Sequence, residues 1–261
     1  MWLCWVTAVL AVSAGKTKKV ELGSSESHHL PIEAHHSLSQ PLDQAMVYWR
    51  FGGATVVTKN QIRLVPATQS RAGWLWNDFP IEKKDWEVEL ELNVFSKPHF
   101  GGDGFAFWIL TKDLDPSFNF EPDYLNGPIF GMRDNFQGFG VMFDTYDNDA
   151  KRDNPAVFVI ENYEGTFRAD HDQDFTNSMI SKHEGGFPFK CFANYRNTKE
   201  NYKVLIRYQN GLLHVYVQET FVSKKPGSNY KLCLVVRPNV PETVRPNHFA
   251  MTAMTGSGTL A

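Results

Sequence analysis

Three cysteines in 261 residues are too few for a scaffold built on disulfides, and neither Cys191 nor Cys233 has a second ligand at the short spacing of a zinc site. Charge of one sign is also scarce. The formal net charge of −3 lacks the basic footprint of nucleic-acid or anionic-membrane binding. No apolar run reaches the ~20 residues that cross a bilayer, and there is no internal repeat, no linker dividing the chain into two domains and no long helical periodicity. What remains is 42% hydrophobic and 14% aromatic, enough for a sizeable core and weighted toward residues that favour strands.

The N-terminus reads as a segment of its own. Met1 to Ala14 is an apolar run closed by Val12-Ser13-Ala14, whose small residues suit signal cleavage although the usual positive start is missing. At about 11 apolar residues it is too short for an anchor. Residues 15–35 are polar, with lysines, the pair His28-His29 and the first histidine of His35-His36, and read as a linker. The domain then runs over 36–261, with a first strand expected near His36-Ser37-Leu38. Cys4 leaves with the signal, and the pair left in an exported chain, Cys191 and Cys233, reads as one disulfide.

Strand patterns dominate the rest. Residues 86–95 alternate, with Val88, Leu90 and Leu92 on one face. Further strands are expected at 61–65, 104–110, 138–145, 156–160, 202–208, 212–218, 231–236 and 248–254, and a turn or two of helix at 175–181. Asn210-Gly211 between two alternating runs predicts a tight hairpin with both turn residues at positive φ. Many short strands separated by turns imply an all-β sandwich or jelly roll. The stretch 111–137 is long for a loop in a compact domain, which marks it as functional or disordered. Its aromatics argue for order.

The polar chemistry is concentrated in loops. Asp144-Thr145-Tyr146-Asp147-Asn148-Asp149 ends an apolar strand, and Asp144, the Tyr146 carbonyl and Asn148 can curl around one cation that prefers oxygen ligands. It is no EF-hand, because the sixth position lacks Gly and the twelfth lacks Glu. An acidic solvated turn would read the same way. A second cluster, Asp170-His171-Asp172-Gln173-Asp174, follows one strand later. Two acidic loops brought together repel unless a cation lies between them. Gly101-Gly102-Asp103-Gly104 lets backbone approach a ligand closely, and Gly256-Ser257-Gly258 is a weaker signal of the same kind.

Taken in order, Gly-Asp-Gly-Phe-Ala-Phe-Trp, Asn-Gly-Pro-Ile-Phe-Gly, Phe-Asp-Thr-Tyr-Asp-Asn-Asp, Ala-Asp-His-Asp-Gln-Asp and Thr-Gly-Ser-Gly resemble the L-type (leguminous-type) lectins. Within that family they are most similar to the animal mannose-binding cargo receptors of the endoplasmic reticulum and Golgi. The resemblance covers His36 to Gly258 and implies a concanavalin-like jelly-roll sandwich that binds without catalysis. It implies calcium on Asp144, Tyr146 (carbonyl), Asn148 and Asp174. The sugar contacts it implies are Ser70, Asp103, Asn148, His171, Gly256, Ser257 and Gly258, with a Cys191–Cys233 disulfide and a cis peptide at Gly102-Asp103. The implied partners are high-mannose glycans of secretory glycoproteins, met in the lumen of the endoplasmic reticulum, intermediate compartment and Golgi, where family members are single-pass membrane proteins. Three departures stand out. The loop after Trp108 is longer, Ser257 replaces the usual Gly or Asp, and the chain stops at Ala261 before the family's final strand and anchor.

Two other classes compete. Glu87, Glu89 and Glu91 share a strand face, and neighbours two apart lie ~6.6 Å from each other, within reach of a glycoside hydrolase's paired carboxylates. Alternation with the polar side outward accounts for them equally well. An adhesion module that uses calcium only for stability is the other alternative.

Overall fold

The computed structural model describes residues 10–13, 32–95, 102–111, 127–180, 189–218, 230–241 and 247–256. Its strands are β1 (Leu10–Ser13), β2 (Trp49–Gly53), β3 (Val56–Val57), β4 (Ile62–Arg63), β5 (Ala72–Asn77), β6 (Trp86–Leu92), β7 (Gly104–Thr111), β8 (Gly138–Asp144), β9 (Ala156–Asn162), β10 (Lys190–Phe192), β11 (Tyr202–Gln209), β12 (Leu212–Gln218), β13 (Tyr230–Val236) and β14 (Asn247–Met254). One sheet runs β1-β6-β11-β12-β13, a second runs β10-β9-β8-β7-β14-β5-β2, and β3 with β4 makes a separate pair. All pairings between these strands are antiparallel. The crossed order of the larger sheet is that of a jelly-roll sandwich, as the sequence implied.

The smaller sheet follows the two-residue period closely. In β6, Val88, Leu90 and Leu92 are fully buried. They join Val204, Ile206 and Val215 against Phe105, Phe107, Val141 and Phe143 of the larger sheet. Strand side chains alternate between faces, so Glu87, Glu89 and Glu91 point the other way. Each of those glutamates has a partner: Arg207 Nε reaches Glu87 at 2.6 Å, Lys203 lies 3.3 Å from Glu89, and Asn201 donates to Glu91 at 2.9 Å. Tyr230 donates to the second oxygen of Glu89 at 2.5 Å. The three carboxylates therefore form a cross-strand ladder on the outer face.

The larger sheet is covered on both faces. Its inner side faces the smaller sheet. Its outer side carries a second cluster in which Trp74, Trp76, Trp108, Met142, Phe158 and Ile160 meet Ile129, Phe130, Phe136 and Phe175 from the flanking loops. This is why β7 and β8 are buried at every position and read as continuous apolar runs rather than alternating ones. It also places Phe130 and Phe136, about 1% exposed, in the core. Two of the aromatics that argued for order in the long loop are thus core residues, while 112–126 lie outside the described residues.

The expectation at His36-Ser37-Leu38 is corrected. Ala34–His36 form a 3-10 turn, closed when the Ser37 hydroxyl donates to the Glu33 carbonyl at 2.8 Å. Asn77, fully buried, donates to the His35 carbonyl at 2.7 Å, so the arm's backbone is bound by a side chain rather than by a strand ladder. The expected helix at 175–181 is a run of turns through Ser178, followed by an isolated bridge from Met179 to Ile160. Leu10–Ser13, within the segment that reads as a signal, pairs here along β6. The hairpin holds, with Asn210 at φ 53° and Gly211 at φ 76°. Cys191 on β10 and Cys233 on β13 are bonded, Cα to Cα 5.6 Å, and tie the edge of one sheet to that of the other.

Candidate functional site

One end of the larger sheet gathers the loops that carry polar chemistry. Asp103 immediately precedes β7, Asp144 ends β8, and Gly256 follows β14. Because β7 lies between β8 and β14, antiparallel pairing brings the three to a common edge. The Asp103 backbone is held on both sides. Its N–H donates to the Met254 carbonyl at 3.1 Å, and its own carbonyl accepts the Thr145 N–H at 3.0 Å and hydroxyl at 2.9 Å. The Gly102–Asp103 peptide is cis.

Gly102 sits at φ 150°, and a Cβ there would lie 3.9 Å from the Tyr146 ring and 4.0 Å from the Gly256 nitrogen. At those distances a Cβ would make ordinary van der Waals contacts, so glycine is favoured here for its positive φ rather than for room. The Tyr146 ring beside it is 46% exposed, an apolar surface at a polar junction. Ser70, itself at φ 53°, donates its N–H to the Gly256 carbonyl at 3.2 Å, which brings the 68–71 loop to the same place. Ser257 and Gly258 lie outside the described residues.

The two acidic loops do meet. The Asn148 N–H donates to Asp174 at 2.9 Å and the Tyr146 N–H to Asp144 at 3.1 Å. Phe175 directs the second loop: its ring is buried against Phe130 and Phe158, which pulls Asp174 inward to full burial. The His171 ring packs edge-on to Phe175 at 4.6 Å. Asp170 is structural, accepting the Asn177 backbone and amide at 2.9 Å each.

Sequence reasoning named Asp144, Tyr146, Asn148 and Asp174 as ligands, and the carboxylate cluster in the structure shares only Asp174 with that set. Asp147, Asp149, Asp153 and Asp174 offer carboxylate oxygens within 4.8 Å of one another. Among the described residues, the buried oxygens Asp147 Oδ1 and Asn154 Oδ1 have no hydrogen-bond donor, and Lys190 lies 3.5 Å from Asp174 Oδ2. Asn154 also donates its amide to the Tyr146 carbonyl. Carboxylates and carbonyls clustered with orphaned oxygens are a donor set that suits calcium. Asp147 and Asp149 belonged to a motif already noticed, but Asp153 and Asn154 had no signal beyond their proximity to it.

Burial shapes the electrostatics. It pushes the Asp144 carboxyl up to about 7, with Asp174 adding to the rise and the Tyr146 N–H, Lys190 and Asn154 opposing it. Burial also raises Asp174, against the Asn148 N–H and Lys190. Asp103 is raised by burial and drawn back by the charge of His171. Asp149 is held below its usual value by its hydrogen bond to Lys151.

A two-sheet antiparallel sandwich with paired acidic loops at one sheet end, beside a half-buried Asp and an exposed aromatic ring, defines a lectin domain of the leguminous type. The legume-like lectin family matches residues 29–260, and the chain belongs to that family. It is 29% identical to the mouse (Mus musculus) protein ERGIC-53 over 236 residues, covering 89% of this chain and 41% of that one. It is 32% identical to the mouse vesicular integral-membrane protein VIP36 over 203 residues, covering 75% and 51%. The chain thus spans about half the length of these curated relatives, or less. The VIP36 exoplasmic/lumenal domain, solved with calcium and Man3GlcNAc bound, superposes with a TM-score of 0.67 at 28% identity, covering 86% of this chain and 84% of that one.

Proposed function

We propose that this chain is a calcium-dependent lectin that binds high-mannose N-glycans of secretory glycoproteins. It would serve cargo transport or quality control in the lumen between endoplasmic reticulum and Golgi. One observation carries the reading: at one end of the larger sheet the Tyr146 ring and the Gly256 backbone lie beside Gly102-Asp103, while the Asn148 N–H ties the Tyr146 loop to the buried Asp174 of the second acidic loop. Asp144, the Tyr146 carbonyl, Asn148 and Asp174 would hold calcium, with Asp147, Asp149 and Asp153 adjoining. The ion supplies positive charge that fixes these oxygens before a sugar arrives, lowering the ordering cost of binding.

Ser70, Asp103, Asn148, His171 and Gly256, with Ser257 and Gly258, would contact the sugar. A carboxylate such as Asp103 accepts hydrogen bonds from two hydroxyls, while Asn148 can donate its amide to a third. The exposed Tyr146 ring offers the apolar face of a sugar a flat surface. No step breaks a covalent bond, and the paired ladder of Glu87, Glu89 and Glu91 favours a structural role over hydrolysis. Residues 1–14 are proposed to be removed as a signal, with the lectin domain at 36–261. The deciding experiment is a glycan array in calcium and in chelator, with circular dichroism to show that the fold survives chelation. Binding of oligomannose only in calcium is the expected result; calcium-independent binding, or none, would refute the reading.

A further inference from the structure

Thr255 is a buried polar residue at the end of β14, 9% exposed, and its hydrogen bonds all run to one neighbouring loop. Its hydroxyl donates to the Thr68 carbonyl at 2.6 Å and accepts the Arg71 N–H at 2.9 Å. Its backbone N–H donates to the Arg71 carbonyl at 2.8 Å. One residue later, the Gly256 carbonyl accepts the Ser70 N–H at 3.2 Å. Four bonds therefore stitch 255–256 to 68–71, and they anchor that loop on both sides of Ser70.

Ser70 has reason to need anchoring. A non-glycine residue at φ 53° sits in a region that costs energy for side chains with a Cβ, and it stays there only when its surroundings enforce it. A hydroxyl has one proton and two lone pairs. The Thr255 hydroxyl uses its proton on Thr68 and a lone pair on Arg71, a pairing that an isosteric apolar residue cannot make. The bonds also join the loop that carries Ser70 to the loop that carries Gly256, two separate parts of the proposed sugar junction.

We propose that Thr255 is a positioning residue for carbohydrate recognition: its hydroxyl sets the 68–71 loop so that Ser70 and Gly256 meet the same ligand. This rests on the lectin reading above. Thr255 neither touches the calcium-type oxygens nor belongs to the ladder of β14 with β5 and β7, whose register ends at Met254. Its loss should therefore separate sugar binding from cation binding.

The test measures mannose affinity by titration calorimetry, and calcium-induced thermal stabilisation, in the full chain. Thr255→Val should weaken mannose about tenfold, while the calcium-induced stabilisation stays at the wild-type value. Thr255→Ser, which restores the hydroxyl, should return to within about twofold of wild type. Ser70→Ala should weaken mannose in the wild-type background and add little in the Thr255→Val background, because residues acting as one unit are not additive. Thr255→Ala carries the same expectation should the valine variant fail to fold. Wild-type affinity in Thr255→Val or Thr255→Ala, failure of serine to rescue, or multiplicative losses with Ser70→Ala would each overturn the inference alone. Absence of mannose binding by the wild-type chain would overturn the lectin reading and this inference with it.

Discussion

Replacing Asp174 with Asn should make the protein less dependent on calcium and, without calcium, no less stable. Asp174 is fully buried, and its carboxylate stands within 4.8 Å of those of Asp147, Asp149 and Asp153. Two unit charges at that distance repel by about 3.5 kcal/mol at an effective dielectric near 20. Lys190, 2.7 Å from Asp153 and 3.5 Å from Asp174, and Lys151, 2.6 Å from Asp149, offset only part of this. Asn keeps an oxygen for the Asn148 N–H and removes the charge, so the calcium-free variant should melt at or above the calcium-free wild type. Calcium at a hundred times its dissociation constant should stabilise the wild type by about 2.7 kcal/mol. For a domain of this size that is a rise in Tm of roughly 5–11 °C. Asp174→Asn should lose most of that rise, so the order of stability inverts between chelator and calcium. Differential scanning calorimetry in both buffers reads it directly. A variant that keeps the full calcium shift, or melts several degrees lower in chelator, would refute the reasoning.

Asn148→Ala should abolish mannose binding and weaken calcium binding together, because Asn148 is proposed to serve both; retained mannose affinity on a glycan array would remove it from the site. Calcium affinity should fall as pH drops through about 7, since burial raises Asp144 to that value and a protonated carboxyl is no ligand. The calcium-free protein should show the opposite trend. A raised pKa means that the folded chain holds the Asp144 proton more tightly than the unfolded one, so this stability is present in acid and lost as pH rises through about 7. Calcium titrations and calcium-free melts from pH 5.5 to 8 test both slopes, and parallel slopes would exclude Asp144 as the controlling group. Cys191→Ala with Cys233→Ala opens a bridge between residues 42 apart in sequence, which the chain-entropy estimate values at about 4 kcal/mol; urea denaturation showing no change in midpoint would contradict it.

The sequence by itself determined much of this protein, wherever a physical requirement leaves a local pattern. Val88, Leu90 and Leu92 alternate because a sheet with one solvated face needs it, and Asn210-Gly211 marks a turn because both positions need positive φ. The ordered motifs around Asp103, Asp144 and His171 were legible because, taken in order, they match those of a family that the chain belongs to. Tertiary structure decided what depends on a second covering layer or on distant approach. The strand Ala72–Asn77 has no alternation to betray it, because Leu75 faces the inner core while Trp74 and Trp76 face the outer cluster. The fate of Phe130 and Phe136 turned on that same outer layer. Asp153 and Asn154 became candidate ligands, and Thr255 a clamp on a loop 184 residues away, only because antiparallel pairing brings separate loops to one edge of a sheet. Spacing along the chain carries no record of that distance.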